Sequence, residues 1–289
     1  MSERFKMTVA DALRAAAARL EPVTGSGRLD ATLLLEHVTG EERVAFVRDG
    51  ERALGADAQR RLDALVARRL GGVPIAYLTG SAGFYGRTFA VDERVLVPRP
   101  ETEHLVEAAV GELRERAAGA VSVADVGTGS GAIAITVALE LSAAGVFATD
   151  VSADALAVAR DNAARHGVVQ RCTFVQGDLA APLHRFGPFD CILANLPYVP
   201  SAAIPAEPDP VAYEPRLALD GGRDGLDLYR KLLGQIGVLA GPHTVVFFEA
   251  APPTIRPLSA AIAAAFPHAA VTVGTDYGGR ERYVRFSPA

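Results

Sequence analysis

The stretch "VSVADVGTGSGAIAITVALEL", residues 121–141, contains the pattern that decides the fold. A short apolar run ends at a turn with Gly127, Gly129 and Gly131, and a second apolar run of helical length follows. The first run is typical of a buried strand and the second predicts a helix. Glycine allows the positive φ angles and the close backbone approach that a tight turn beside a ligand needs. The segment therefore predicts a strand, a ligand-facing loop and a helix.

The strand-and-helix rhythm continues to the end of the chain. Further strands are predicted at 145–150, 172–178, 189–195 and 244–250, helices at 152–167, 225–239 and 255–266, and a closing hairpin at 270–274 and 282–286. Alternating strands and helices give a parallel sheet with helices on both faces. We predict an α/β fold, a seven-stranded doubly wound Rossmann-like domain.

The first part of the chain is helical instead. Alanine-rich and amphipathic patterns predict helices at 8–20, 28–40 and 57–70, with Thr8 as a cap and with Leu29, Leu33 and Leu34 on one apolar face. "GFYGRTFAVD" (83–92) predicts a hairpin, and Pro100 opens a helix running to residue 118. The predicted domains are a small helical bundle at 1–72, a hairpin linker at 73–98 and the sheet domain at 99–289.

Composition counts against several classes of protein. The 289 residues are 49% apolar and carry a net charge of −5, which favours a cytoplasmic globular protein over one that binds duplex DNA. The N-terminus lacks the apolar core of a signal peptide, and no uncharged apolar run is long enough for a membrane span. The scattered histidines predict no metal site, and Cys172 and Cys191 are expected to be buried, inert thiols. We expect a monomer.

Acidic residues follow the predicted strands and point to a nucleotide or nucleoside ligand. Asp125 precedes the glycine loop, and Asp150 ends the second strand, where a carboxylate accepts hydrogen bonds from a ribose. The spacing G-x-G-x-G departs from the dinucleotide pattern G-x-G-x-x-G, whereas S-adenosylmethionine, which has no phosphate, needs a loop that wraps its amino-acid part. Asp178, which ends the third strand, is placed to meet an adenine amine, with Leu179 against the ring.

"ILANLPYVP", residues 192–200, ends the fourth strand in an unusual way. In open α/β sheets, ligands bind at the carboxyl edge where this turn lies. The Asn195 amide and the Leu196 carbonyl can hold a planar N–H group, and Tyr198 offers a flat face for stacking. Such a nitrogen is a poor nucleophile, so a site helps it by positioning and electrostatics. An asparagine turn before proline also occurs in ordinary loops, but after the glycine loop and Asp150 the turn predicts methyl transfer, with Asn195, Pro197 and Tyr198 as catalytic residues.

These motifs resemble the HemK/PrmC family of protein-glutamine methyltransferases. The most specific stretches are "VPRPETE" (97–103) and "EPRLALDGGRDGL" (214–226), and the similarity extends to "DYGGRERYV" (276–284). The resemblance implies a helical domain that recognises a protein substrate and a methyltransferase domain that methylates the glutamine of the Gly-Gly-Gln loop of peptide chain release factors.

The resemblance also implies roles for individual residues. The cofactor S-adenosylmethionine would be held by the loop Gly127, Thr128, Gly129, Ser130 and Gly131, by Asp150, by Leu179 at the adenine and by Asn195 at its border. The glutamine amide would be bound by Asn195, Leu196, Pro197 and Tyr198, with Arg99, Pro100 and Glu101 shaping the site. Proline is also common at the first position of a helix, so Pro100 fits an ordinary helix start as well.

Two departures from the family pattern concern the site. The family usually has N-P-P-Y, and Leu196 replaces the first proline; Pro197 still favours extended backbone before it. Relatives usually have glutamate, one residue and glycine after the next strand, whereas Ala250 and Ala251 follow Glu249 here. The second departure bears on substrate identity.

Other functions remain open from the sequence. A methyltransferase of another protein glutamine, on a ribosomal protein, fits the same motifs. An adenine-amine methyltransferase of nucleic acid uses a similar turn, although the acidic charge counts against it. A binding module that has lost its chemistry would fit the changes at Leu196 and Ala250, and an NAD-dependent oxidoreductase fits the glycine spacing least.

Overall fold

The computed structural model describes residues 7–116 and 119–288, and these form two compact units. The first contains the chain up to Gly80 together with Pro205–Tyr213, and the second contains Ser81–Ile204 and Glu214–Ala289. The first six residues of the predicted helical domain, residues 117–118 of the predicted helix and Ala289 lie outside the described residues. The boundaries predicted at residues 72 and 98 stay predictions.

The first unit is helical. Its helices are α1 (Val9–Thr24), α2 (Gly27–Thr39), α3 (Arg43–Arg48), α4 (Ala56–Leu70) and α5 (Ile75–Thr79). The Thr8 side chain caps α1 by accepting a hydrogen bond from the Asp11 N–H, as its position predicts. Leu34 is buried in the core of this unit, but Leu29 is 54% exposed, so the predicted apolar face of α2 is wrong at that residue. The core uses Leu35 instead, one residue beyond Leu34.

The second unit begins with the predicted hairpin and contains a seven-stranded sheet. The hairpin is formed by β1 (Ser81–Phe84) and β2 (Arg87–Ala90). The sheet strands are β3 (Val121–Val126), β4 (Ala144–Asp150), β5 (Cys172–Gln176), β6 (Phe189–Ala194), β7 (Ala240–Glu249), β8 (Val271–Thr275) and β9 (Glu281–Phe286). Their spatial order is β5-β4-β3-β6-β7-β9-β8. Strands β3 to β7 are parallel, and β9 joins them antiparallel, as the predicted closing hairpin requires.

Helices cover both faces of the sheet, which confirms the predicted doubly wound fold. The helices are α6 (Pro100–Arg116), α7 (Ala132–Glu140), α8 (Ala153–Arg165), α9 (Asp227–Leu239) and α10 (Pro252–Ala265). Side chains alternate along β7, so Val245 and Phe247 join the apolar core with α6 and α7, whereas Val246 and Phe248 join the core with α9 and α10. Because the strands are buried on both faces, they read as continuous apolar runs in the sequence.

Both cysteines are buried, as expected, and burial raises the pKa of the Cys172 thiol to about 11. A membrane-crossing helix is not found in residues 7–116 and 119–288, where every helix is too short or too polar. The same residues bring no three metal-ligating side chains together.

Candidate active site

A cavity of about 300 Å³ lies at the carboxyl edge of the sheet. This volume is at the small end of the range for ligand sites. Predicted site residues that line it are Gly127, Thr128, Gly129, Ser130, Asp150, Asp178, Leu179, Asn195, Leu196, Pro197 and Arg99. Gly131, Glu101 and Tyr198 are not part of this lining. The parallel strands thus bring most of the predicted residues to one place, although they come from widely separated parts of the chain.

The three glycines of the loop share one backbone conformation and differ in what surrounds them. All three have φ between +54° and +81°, in the left-handed region that disfavours other residues. A Cβ on Gly127 would lie 2.8 Å from Leu196 Cδ2, and a Cβ on Gly131 would lie 2.9 Å from Ile135 Cδ1. Among residues 7–116 and 119–288, no atom lies within 4 Å of the Cβ position of Gly129, which faces open space. Gly127 and Gly131 therefore serve packing, and Gly129 is the residue that leaves room for a ligand.

Asp150 is fixed at the end of β4 by two backbone groups. The Gly129 N–H donates to one carboxylate oxygen at 2.9 Å, and the Ser152 N–H donates to the other at 2.9 Å. Burial raises the pKa of Asp150, and these hydrogen bonds oppose that rise. Each carboxylate oxygen has a further lone pair, so Asp150 can accept hydrogen bonds from a ligand in the cavity.

Asp125, near the end of β3, is a buried residue that holds the glycine loop in place. It is fully buried, and it accepts hydrogen bonds from the Thr128 hydroxyl at 2.6 Å and from the Ala134 N–H at 3.2 Å. Burial raises the pKa of Asp125 to about 7 from an ordinary 3.8, against the effect of these two hydrogen bonds. Asp125 is therefore a structural residue beneath the loop, with a proton affinity that makes the fold sensitive to pH.

As the pH rises, the Asp125→Asn variant is expected to lose less unfolding free energy than the wild type. The folded protein holds a proton on Asp125 up to about pH 7, whereas the unfolded chain releases it near pH 4, so this stability is present at low pH and is lost between those values. Between pH 5 and pH 8 the wild type should lose about 2 kcal/mol more unfolding free energy than the variant. Urea unfolding at both pH values measures this. Asp161→Asn on the exposed face of α8 is the control, and equal losses in Asp125→Asn and wild type would contradict the argument.

Asn195 follows β6 and faces the cavity with a fixed side chain. Its Nδ2 donates a hydrogen bond to Thr102 Oγ1, 3.0 Å away in the first turn of α6. The next residue, Leu196, donates its backbone N–H to the Tyr229 hydroxyl at 3.1 Å, and Tyr229 in turn donates to the backbone carbonyl of Glu249. A proline at position 196 has no N–H to donate. Leu196, where the family usually has proline, therefore makes a hydrogen bond that proline could not make. This bond to Tyr229 of α9 holds the peptide in place.

Tyr198 is oriented toward the end of β7. Its hydroxyl lies 3.5 Å from Glu249 Oε1, and burial raises its pKa. The ring is partly buried against the apolar core of α9 and α10. Its predicted role in stacking on a substrate stays a prediction, since the structure places the ring next to the cavity and outside its lining.

The family stretch at 214–226 supports the asparagine turn. The Val199 N–H donates to the Leu219 carbonyl at 3.1 Å, and the Gly221 N–H donates to the Val199 carbonyl at 2.9 Å. A Cβ on Gly221 would lie 2.6 Å from the Pro197 carbonyl oxygen, and one on Gly225 would lie 2.3 Å from that of Tyr198. Glycine is required here because two backbone segments touch, which explains why this stretch accompanies the turn.

The residues of "VPRPETE" are held by ion pairs. Arg99 pairs with Glu214, whose side chain is only 1% exposed and which also accepts a hydrogen bond from the Val97 N–H at 3.1 Å. Glu101 lies 3.5 Å from the Arg282 guanidinium. Arg99 lines the cavity, as do Pro98 and Thr102 of the same stretch, whereas Glu101 does not; Arg99 rather than Glu101 is therefore placed for direct contact with a ligand there.

Asp178 and Leu179, which follow β5, also line the cavity. Asp178 is about half exposed, and its carboxylate pairs with Lys231 Nζ at 2.5 Å. Leu179 is buried and has φ of 51°, an uncommon value for a leucine. This conformation brings the Leu179 side chain to the cavity wall, where an apolar residue suits the face of a planar ring.

The sequence did not single out Thr102, Tyr229 or Glu249 for the site. Thr102 is 4% exposed and Glu249 is 2% exposed, and both are polar residues beside Asn195. Ala194 of β6 pairs with Phe248 of β7, so Asn195, which follows β6, and Glu249, which ends β7, lie at the same edge of the sheet. Ala250, the second family departure, is buried, continues the pairing through a hydrogen bond to Arg282, and is not part of the cavity lining.

Comparison with known proteins gives the class and then the family. Residues 11–80 match the PrmC N-terminal domain and residues 123–206 match a methyltransferase domain. The methyltransferase from Pyrococcus furiosus is similar in fold, with a TM-score of 0.50 at 18% identity over 78% of this chain and 96% of that one. The fold and the matched domain thus define a Rossmann-like methyltransferase.

Curated relatives are more specific. The chain is 40% identical to the release factor glutamine methyltransferase of Deinococcus radiodurans, over 96% of this chain and 98% of that one. It is 45% identical to the release factor glutamine methyltransferase of Chlorobaculum tepidum, over 77% and 78%. The chain belongs to the family of release factor glutamine methyltransferases. This confirms the resemblance seen in the sequence and favours that activity over the alternatives considered with it.

Proposed function

We propose that this chain transfers a methyl group from S-adenosylmethionine to the side-chain amide nitrogen of the glutamine in the Gly-Gly-Gln loop of a peptide chain release factor. The observation that supports it is the placement of Asn195. Its amide, fixed by Thr102, lines the same cavity as the glycine loop and Asp150. The Asn195 side chain, which can recognise an amide, therefore lies beside residues that are suited to bind a nucleoside.

The residues of the cavity fit S-adenosylmethionine. Gly129 leaves open space at the loop, Asp150 offers carboxylate lone pairs for ribose hydroxyls, and Leu179 offers an apolar wall for the adenine. A phosphate would gain little beside the Asp150 carboxylate, because like charges repel. Bound S-adenosylmethionine supplies an electrophilic methyl carbon, whose transfer breaks the sulfur–carbon bond, leaves a thioether and releases one proton from the amide nitrogen.

The chain's own residues then act on the glutamine. Asn195 Oδ1 and the Leu196 carbonyl would each accept one N–H of the amide, which holds the nitrogen in one place. The lone pair of an amide nitrogen is delocalised into the carbonyl. When both N–H groups of the glutamine donate hydrogen bonds to these acceptors, the electron density on the nitrogen rises. The contribution is positioning and electrostatic stabilisation, and no general base is needed if the proton leaves after the methyl group has arrived.

Methyl transfer to purified substrates tests this function. Labelled S-adenosylmethionine is incubated with the protein and, separately, with a release factor, the same factor with its Gly-Gly-Gln glutamine replaced by alanine, ribosomal proteins and DNA. We expect label on the unmodified release factor only. Label on a ribosomal protein or on DNA, or clear cofactor binding without any transfer, would overturn the proposal.

We further propose that the protein acts in the cytoplasm, as a monomer, and without direct contact to nucleic acid. The substrate supports the first point, since release factors act on cytoplasmic ribosomes. The net charge of −5 supports the last, because nucleic-acid binding relies on basic surface. Sedimentation at a mass near 30.2 kDa would agree with a monomer, and a species of twice that mass would contradict it.

A further inference from the structure

Asn162 on α8 is a fully buried asparagine that the proposed mechanism does not use. Its Oδ1 accepts a hydrogen bond from the Ala90 N–H at 2.8 Å, and its Nδ2 donates to the Ala90 carbonyl at 3.0 Å. Nδ2 also donates to the Ser130 carbonyl at 2.9 Å. A backbone N–H only donates and a carbonyl only accepts, so these three partners fix the orientation of the Asn162 amide.

At Ala90, the Asn162 side chain takes the part of a neighbouring strand. Ala90 is the last residue of β2 and pairs with Ser81 of β1 in the hairpin. The Asn162 amide bonds both the N–H and the carbonyl of Ala90, as an opposite residue does in an antiparallel pair of strands. The hairpin is thereby attached to α8.

At the glycine loop, the same side chain bonds a carbonyl that α7 leaves free. In a regular helix, the Ser130 carbonyl would accept from the N–H four residues later, that of Ala134. The Ala134 N–H donates to the Asp125 carboxylate instead. Ser130 is 3% exposed, and a buried carbonyl without a partner is costly. The loop comes close to α8 because Gly131 has no side chain: a Cβ there would lie 3.1 Å from the Ala159 Cβ.

The two segments that Asn162 joins form separate parts of the cavity lining. The glycine loop contributes residues 127–130 to that lining, and the chain that follows β2 contributes Arg94, Leu96, Pro98 and Arg99. Asn162 is not itself part of the lining. It therefore connects two parts of the cavity wall from behind them.

We propose that Asn162 is a positioning residue for the cofactor, which holds these two parts of the wall at the spacing that S-adenosylmethionine needs. This inference rests on the cofactor of the proposed function and is independent of the methyl acceptor. Asn162 acts without touching the cofactor. When the connection is lost, the two parts separate in a fraction of the molecules, and the Kd rises as the binding-competent fraction falls.

Asn162→Ala is expected to raise the Kd of S-adenosylmethionine about 10-fold, as for a cavity whose competent spacing is populated in about a tenth of the molecules. Calorimetric titration measures the Kd, and circular dichroism checks that the variant is folded at the temperature used. A merely structural role would lower the unfolding temperature and leave the Kd of the folded protein unchanged. A wild-type Kd in folded Asn162→Ala would therefore overturn the proposal.

His166 offers a matched control at the end of the same helix. It follows Asn162 by four residues, and its Nε2 lies 3.0 Å from the carbonyl of Thr88 on the same strand β2. Its ring packs on Phe89, with the ring centroids 4.8 Å apart. His166→Phe keeps an aromatic ring and removes a hydrogen bond to the hairpin but none to the glycine loop, so the Kd should stay within threefold of wild type. Equal weakening in both variants would overturn the role given to the link with the loop.

Hydrogen exchange tests the same link in the wild type, without a substitution. Coupling between two sites is reciprocal, so saturating S-adenosylmethionine should slow exchange of the Ala90 amide by the same factor of about 10. The slowing should vanish in Asn162→Ala and persist in His166→Phe. Exchange at Ala90 that is indifferent to the cofactor would overturn the proposal, including in the case that Asn162→Ala does not fold.

These measurements distinguish failure of the inference from failure of the proposed function. A wild type that binds no S-adenosylmethionine would refute both. A wild type that binds the cofactor and methylates a release factor, but whose Ala90 exchange is unaffected by the cofactor, would refute the positioning role alone. Slowed exchange at Ala90 without methyl transfer to a release factor would refute the methyl acceptor and support the role of Asn162.

Discussion

Asn195→Ala is expected to lower kcat for release factor methylation by about 100- to 1000-fold, the range seen when one preorganised polar contact is removed from an active site. The variant loses the acceptor for one amide N–H and leaves the substrate nitrogen free to rotate. Within the described part of the chain, Asn195 makes one side-chain hydrogen bond, to Thr102, so its loss should change the unfolding temperature little. Single-turnover transfer of labelled methyl groups measures the effect.

A control at the same sheet edge shows that the effect is specific. Gln176 ends β5, its amide is exposed and bonds to the Val151 carbonyl, and it is not part of the cavity lining. Gln176→Ala therefore truncates a similar side chain nearby and should keep the wild-type kcat. Turnover within threefold of wild type in Asn195→Ala would remove the basis of the proposed mechanism.

Asp150→Ala is expected to weaken binding of S-adenosylmethionine by about 100-fold. Hydrogen bonds to a charged group contribute about 1.5–3 kcal/mol each, and two from a ribose at the lower end of this range would account for roughly this factor. The variant also releases the Gly129 N–H, so the loop that lines the cavity loses one of its supports. Calorimetric titration of the purified variant gives the Kd directly.

Two further variants sharpen the Asp150 test. Asp154→Ala removes an exposed carboxylate four residues later, at the start of α8, and should leave the Kd unchanged. Asp150→Asn keeps an acceptor oxygen and should fall between alanine and wild type. If kcat collapses while the Kd of S-adenosylmethionine stays at the wild-type value, Asp150 has a role other than the one proposed.

The fold was predictable because its signals are local. The apolar run before Gly127, the helical run after Gly131 and their repeats are each read within about 20 residues, and the rule that parallel strands alternate with helices gives the rest. The same rule places Asp150 and Asn195 at one sheet edge. Prediction failed where tertiary packing decided: Leu29 follows the helical pattern and is exposed, because the core of the helical unit is filled by Leu34 and Leu35.

The sequence by itself determined that the strands form a parallel sheet, and hence that a glycine loop, an acid and an asparagine lie at its carboxyl edge. Only the tertiary structure decided what holds the asparagine. Thr102 lies 93 residues away from Asn195 along the chain, and it meets Asn195 because α6 packs beside β6. A hydrogen bond has a direction, and that direction is set by the neighbours that a side chain meets in space, which no local pattern of residues contains.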